Sequence, residues 1–101
     1  MCDLEKKKAW LSRYRKNKLI IKSEQELIDE HIKMYQENQQ ITKAIYSVEN
    51  PLYKALLIRR YINGETNEEI SQNMNYEERH VRRLLKKAVD SINMSLNVRI
   101  D

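Results

Sequence analysis

Glycine and proline each occur only once in the 101 residues of this chain. A fold with many strands needs turn residues about every 8–12 positions, and this sequence does not supply them. The remaining composition is rich in Lys, Glu, Leu and Ile, a mixture that favours helices. We therefore predict an all-α protein, either one small domain or a small domain with a long helical arm.

Several classes of protein are excluded by residues that the sequence lacks. Cys2 is the only cysteine, so neither a disulfide framework nor a cysteine-rich zinc site is expected. No apolar run approaches the roughly 18 residues of a membrane span, which predicts a soluble, cytoplasmic protein. His31 and His80 lack metal-ligand spacing, and the sequence has no Gly-rich phosphate loop and no nucleophile–base pair. We expect neither enzyme activity nor a cofactor.

Charge is distributed unevenly along the chain, whose formal net charge is +4. Residues 1–22 carry eight Lys and Arg against two acidic residues, whereas residues 23–50 carry six acidic residues against two Lys. Residues 51–76 balance, and residues 77–101 carry six Lys and Arg against four acidic residues. Two basic regions separated by an acidic one suit a protein that meets a polyanion at two places.

The first helix is predicted to run from about Asp3, a suitable N-cap, to Lys18. Its apolar stripe is thin, and residues 19–22 do not continue it, so a break is expected there. Three consecutive lysines at residues 6–8 make the start of this helix strongly basic. We interpret this segment as a basic arm on DNA, with contact to a membrane surface as the alternative.

A second helix is predicted over about residues 24–47, because Ser23 and Glu26 form a capping box before it. Heptad-like spacing gives this helix one seam, which consists of Leu27, His31, Met34, Asn38, Ile41, Ile45 and Val48. The seam fits either a contact between two chains or a core helix in a small bundle of one chain. We predict a homodimer through the 24–48 helix, in which Asn38 fixes the register. The single-chain bundle is the alternative.

Capping signals predict three further helices after residue 49. Asn50 and Pro51 start one helix, and Asn63-Gly64 ends it, since glycine accepts the left-handed conformation at a C-terminal cap. Thr66 and Glu69 form a capping box for a short helix to about Asn73.

A turn at residues 74–76 leads to a last helix from about Glu77 to Leu96. Apolar residues at helical spacing predict its buried side, which consists of Val81, Leu84, Leu85, Ala88, Val89 and Ile92.

The last two helices and the turn between them match a helix-turn-helix unit. Ser71 is the small residue needed where the two helices cross, and Asn75 is the best non-glycine choice for a left-handed turn residue. The apolar positions of the unit are filled by Ile70, Met74, Tyr76, Val81 and Leu84. The second helix of such a unit enters the major groove of DNA.

The face of the last helix opposite its buried side is strongly charged and carries Glu78, Arg79, Arg82, Arg83, Lys86 and Lys87. Arg can donate two hydrogen bonds to guanine O6 and N7, and Glu can accept one from cytosine N4. Lys86 and Lys87 are predicted to contact phosphates, which hold the register without reading sequence. A solvated charged face is the ordinary interpretation of such a helix, but the preceding turn favours DNA.

Two tracts carry a family resemblance, Leu57 to Ile70 (LIRRYINGETNEEI) and Arg79 to Leu84 (RHVRRL). On these tracts, residues 50–92 resemble region 4 of sigma-70 factors, and more closely the phage regulators of the ArpU and RinA type. The resemblance implies a sigma-like helix-turn-helix that binds promoter DNA. The base-facing positions that it implies are Glu78, Arg79, Arg82 and Arg83. Family members often cap the recognition helix with Ser or Thr, whereas this chain has Glu77.

Three segments follow from these predictions. Residues 1–48 are basic and coiled-coil-like helices for dimerisation or as an arm, residues 49–97 are the helix-turn-helix DNA-binding domain, and residues 98–101 are a tail. The implied function is sequence-specific regulation of the late genes of a phage or mobile element. Two alternatives are a DNA-packaging protein resembling small terminase subunits and a module that binds RNA polymerase, as sigma region 4 does.

Overall fold

The computed structural model describes residues 3–23 and 29–93, which contain helices and no strand. In chain order the elements are α1 (Asp3–Ser23), α2 (Asp29–Tyr46), α3 (Pro51–Leu57), a π-helical segment (Ile58–Ile62, here the π segment), α4 (Asn67–Met74) and α5 (Glu78–Asp90). The prediction of an all-α fold is confirmed.

The first two helices differ from their predicted limits. The break predicted at residues 19–22 is wrong, since α1 continues without interruption to Ser23. Leu19, Ile20 and Ile21 are all compatible with a helix, so the helix continues through them. The Leu19 side chain is 67% exposed as a result. The capping box at Ser23 and Glu26 and the seam residues Leu27 and His31 lie outside the side chains that the structure describes.

The last helix is shorter than predicted. It ends at Asp90 rather than at Leu96, because Ser91 caps it: the Ser91 backbone N–H donates to the carbonyls of Lys87 and Ala88. The turn that follows returns Ile92 to the core, where this side chain is buried. Residues 94–101, which include the predicted tail, lie outside the described part of the chain.

The predicted caps in the second half of the chain are confirmed. Asn50 Oδ1 accepts hydrogen bonds from the N–H groups of Leu52 and Tyr53, and Pro51 occupies the first helical position of α3. The Thr66 capping box is complete on both sides. Gly64 adopts a left-handed φ of +77° after the π segment.

The larger core is built from both halves of the chain. It contains Trp10, Leu11 and Tyr14 of α1, Ile41, Ala44, Ile45 and Val48 from α2 and the residues after it, and Leu57, Ala88, Val89 and Ile92. The seam side chains Ile41, Ile45 and Val48 are thus buried within one chain, as the bundle alternative required. Side chains on the two sides of the predicted boundary at residues 48 and 49 share this core.

A polar cluster lies between α1 and α2 at the buried edge of that core. Asn17 Nδ2 donates to Asn38 Oδ1 at 3.0 Å and to Glu37 Oε1 at 2.9 Å, and Asn38 Nδ2 donates to the Tyr14 carbonyl at 3.2 Å. Arg13 pairs with Glu37 at 3.1 Å beside them. Asn38 therefore fixes how α1 and α2 align within one chain, because any shift would leave buried amide groups unpaired.

A smaller core lies between α3 and the helix-turn-helix unit and consists of Leu56, Ile70, Val81 and Leu85, with Leu52, Met74 and Leu84 packed around them. Ser71 is buried, as the close crossing of α4 and α5 requires. The prediction of Tyr76 as an apolar core position is wrong. Its side chain is 36% exposed and packs against His80 rather than in the core. The centroids of the two rings lie 5.1 Å apart in a T-shaped arrangement.

Replacement of Asn38 by Ala should lower the free energy of unfolding by about 1–3 kcal/mol, since the Asn17 amide and the Tyr14 carbonyl would each lose a buried partner. Gln39→Ala on the exposed neighbouring position is the matched control and should change stability little. Urea unfolding measures both variants. Equal unfolding midpoints for the two would show that the buried amide pair does not stabilise the fold.

Candidate nucleic-acid interface

The turn between α4 and α5 has the geometry predicted for it. Asn75 ends α4 in the left-handed conformation with φ of 58°, and the N–H groups of Asn75 and Tyr76 donate to the Ser71 carbonyl. Glu77 then takes an extended conformation as the N-cap of α5, and its side chain makes no capping hydrogen bond. The first turn of α5 therefore lacks a side-chain cap.

All six predicted site residues lie exposed on α5, which buries Val81, Leu85, Ala88 and Val89 on its other side. The exposed set consists of Glu78, Arg79, Arg82, Arg83, Lys86 and Lys87. Helical periodicity alone separates the two sides, because residues three or four apart share a face. A single short helix thus presents five cations to its surroundings, with Glu78 at its start and Asp90 at its end as its exposed carboxylates.

Two of the arginines have partners on the same helix. Arg82 Nη2 donates to Glu78 Oε1 at 2.8 Å, one turn earlier, with both side chains exposed. Arg83 Nη2 lies 2.6 Å from His80 Nδ1, and in this contact the guanidinium group is the donor, because arginine has no acceptor. Within the described residues, Arg79, Lys86 and Lys87 make no hydrogen bond or ion pair.

These two contacts are easily exchanged for others. An exposed ion pair between residues four apart on a helix is worth only a few tenths of a kcal/mol. Arg82 can therefore leave Glu78 for a stronger partner at little expense. The arrangement can bind anions with one, two or several guanidinium groups and can offer the Glu78 carboxylate as an acceptor.

A surface cavity of about 340 Å³ borders α5 on one side, and we call it the basic groove. Its cations come from three elements: Lys8 from α1, Arg60 from the π segment, and Arg82 and Lys86 from α5. A second cavity of about 390 Å³ lies at the start of α5 and is lined by Arg79 and Arg83 together with Tyr76 and His80. Neither cavity is predictable from the sequence pattern.

The π segment places Arg60 at the basic groove. Its wide turn is closed by a hydrogen bond of 2.9 Å from the Asn63 N–H to the Ile58 carbonyl, five residues back. Glu65 anchors the segment, accepting from Arg59 Nη1 at 3.1 Å through its side chain and from Arg60 Nη1 at 3.3 Å through its carbonyl. We find no sequence signal that distinguishes this segment from an ordinary helix.

Two polar contacts hold α1 in place, one to the end of α5 and one to the end of the π segment. Lys7 Nζ donates to the Asp90 carbonyl at 2.8 Å, where a cation is favourable because the last carbonyls of α5 carry partial negative charge. Arg15 Nη1 donates to the Ile62 carbonyl at 3.2 Å and lies directly over Gly64. Lys8 reaches the groove because α1 is docked in this position, and no local sequence signal reports such a contact.

Tyr61 lines the same groove and is half-buried. Burial raises the pKa of its hydroxyl above the ordinary value of 10.0, and the positive charge of Arg60 opposes this shift in part. Tyr61 is therefore a neutral group at physiological pH, and it adds no negative charge to the groove.

Other kinds of site find no support in the described residues. They contain no cluster of three His, Cys, Asp or Glu side chains that could hold a metal ion. None of the helices described is both long and apolar enough to cross a membrane.

Comparison with protein-family models, with curated proteins and with solved structures finds no match to this chain.

Wild-type protein should lose stability relative to Tyr61→Phe as the pH rises above 10.0. The raised pKa means that the folded state favours the neutral phenol, so this contribution is complete below pH 10.0 and is lost as the folded hydroxyl ionises. Thermal melting over an alkaline pH series measures the difference. Tyr46→Phe, at a tyrosine that is mostly exposed, is the control and should follow the wild type. Melting temperatures that fall in parallel with pH for wild type and Tyr61→Phe would contradict the raised pKa of the Tyr61 hydroxyl.

Proposed function

We propose that this protein is a sequence-specific DNA-binding regulator of transcription that places α5 in the major groove. The observation that carries the proposal is the exposed face of α5, where five cationic side chains follow a left-handed helix-turn-helix turn. A recognition helix needs a fixed angle of entry into the major groove and exposed hydrogen-bond donors that can reach the bases.

The contacts on α5 support a division of roles among its side chains. Arg82 and Arg83 can exchange their partners Glu78 and His80 for guanine O6 and N7, which accept two hydrogen bonds from one guanidinium group. Once Arg82 leaves it, the Glu78 carboxylate can accept from cytosine N4. Arg79 is a further base-reading candidate, and Lys86 and Lys87 provide phosphate contacts.

The regulatory part of the proposal rests on the sequence resemblance to sigma-70 region 4 and to phage regulators of the ArpU and RinA type. From this resemblance we infer a protein that acts on promoter DNA in the cytoplasm and regulates phage or mobile-element genes. Glu77 and Glu78 sit where phosphates approach, so they weaken non-specific affinity and increase the share of binding that depends on base contacts.

We include a homodimer in the proposal, because one short recognition helix binds modestly and two-fold dimers read two half-sites. Ile41, Ile45 and Val48 are already buried in their own chain, so we assign the contact to the first half of α2, where Ile32 and Tyr35 are 46% and 48% exposed. Tyr35→Lys should shift the sedimentation coefficient from dimer to monomer. A monomeric wild type at the highest concentration used for DNA binding would contradict the dimer.

Arg82→Ala and Arg83→Ala should each lose about 1–3 kcal/mol of discrimination at specific base pairs, as expected for bidentate guanine contacts. Lys87→Ala, which removes the same charge from the same helix, should weaken binding to all sequences alike. Footprinting and affinity measurements on DNA upstream of the protein's own gene would test this.

The other outcomes of that experiment distinguish the alternatives. Unchanged footprints for both Arg variants would remove α5 from the role of recognition helix. Capture of RNA polymerase without a footprint would support the polymerase-binding module. A closed ring of many subunits on DNA would support the packaging protein.

A further inference from the structure

The basic groove concentrates positive charge. Lys8, Arg60, Arg82 and Lys86 line it, and none of the described lining residues is acidic. Among the described residues only Arg82 of these four cations is paired with a carboxylate, that of Glu78, through an exposed contact, and Arg60 donates to the Glu65 carbonyl. Like charges gathered at one concave place repel each other, so an anion in the groove would relieve that repulsion.

Neutral groups of the groove also suit an oxyanion. The Ser12 hydroxyl lies in its wall, although it now donates to the Lys8 carbonyl at 2.8 Å. The Asn67 side chain makes no hydrogen bond within the described residues, so its Nδ2 group is available to donate to a phosphate oxygen, whereas its buried Oδ1 is an acceptor and cannot bind one. Amide and hydroxyl groups of this kind are common ligands of DNA phosphates. Leu85 and Val89 are the aliphatic residues of the groove lining.

Lys8 is held at the groove by the docking of α1. Lys7 is bonded to the end of α5, Arg15 is bonded to the end of the π segment, and the buried Trp10 lies between them. Lys8 therefore has a fixed backbone position, and only its side chain must be ordered on binding. Lys6 is on the same helix but is exposed away from the groove lining.

We propose that the basic groove binds a phosphate of the DNA backbone beside the bases that α5 reads, with Lys8 of α1 as one of its ligands. This rests on the proposed DNA-binding function and assigns α1 a part in it. Arg82 and Lys86 belong both to the groove and to the exposed face of α5, so a duplex seated on α5 brings its flanking phosphates to Lys8. The helix that stabilises the fold then also extends the contact with DNA beyond the helix-turn-helix unit.

The first test compares Lys8→Gln with Lys6→Gln in the full chain. Each change removes one charge from α1 and keeps two of the four side-chain methylene groups. Binding of a duplex of about 20 base pairs, two helical turns, is measured by fluorescence anisotropy over a range of salt concentrations. Lys8→Gln should reduce the slope of log affinity against log salt by about 0.9, the value for one phosphate contact, whereas Lys6→Gln should keep the slope. Lys8→Arg should restore it.

The second test locates the phosphate. Single phosphates of the duplex are replaced in turn by neutral methylphosphonates, and affinity is measured for wild type and for Lys8→Gln. At one position flanking the α5 footprint, neutralisation should weaken the wild type several-fold and leave Lys8→Gln unaffected. Loss of the same factor from both proteins at every position would overturn the assignment of Lys8.

The outcomes separate this proposal from the one on which it rests. If Arg82→Ala and Arg83→Ala lose base discrimination while Lys8→Gln and Lys6→Gln have equal slopes, α5 reads DNA and the groove does not bind a phosphate. If the wild type binds no duplex, both proposals fail. Circular dichroism of Lys8→Gln checks that its helix content equals that of the wild type, so that a changed slope reports lost charge.

Discussion

The burial of α1 against the rest of the chain is the interaction on which the fold depends. Trp10 is 1% exposed, and with Leu11 it fills the core that α2 and α5 share. The indole N–H has no partner in the described structure, a penalty of about 1–3 kcal/mol. Packing outweighs it, because truncation of a buried Trp typically costs about 3–5 kcal/mol. A small domain is stable by only about 5–15 kcal/mol, so the packing of α1 supplies a large share of the net stability.

Polar contacts give this apolar packing its alignment. The Asn17–Asn38 amide pair and the Arg13–Glu37 ion pair join α1 to α2, and Lys7 and Arg15 join α1 to the ends of α5 and of the π segment. The apolar contacts tolerate small shifts, whereas buried amides do not, since a shift leaves them without partners. The position of Lys8 in the basic groove is thus set by hydrogen bonds that other residues of α1 make, those of Lys7, Arg15 and Asn17.

Local signals made much of this structure predictable. The caps at Asn50, Thr66 and Gly64 and the left-handed Asn75 depend on neighbours within a few residues, and all were predicted correctly. The exposed cations of α5 followed from helical periodicity. The π segment and the turn that buries Ile92 depend on packing between distant residues, as does the basic groove, which needs Lys8 and Arg60 brought to α5. A heptad-like seam likewise cannot report whether its partner is another chain or, as for Ile41, the same one.

The shared core has a consequence for how this protein can be divided. A helix-turn-helix unit is often treated as a cassette that can be moved between proteins with its specificity intact. Here the buried faces of Ala88, Val89 and Ile92 end against α1 and α2, so a fragment cut after residue 48 would carry an exposed apolar surface into any new host. The unit that folds is α1 and α2 together with α5, and a stable chimera would have to exchange all three helices together.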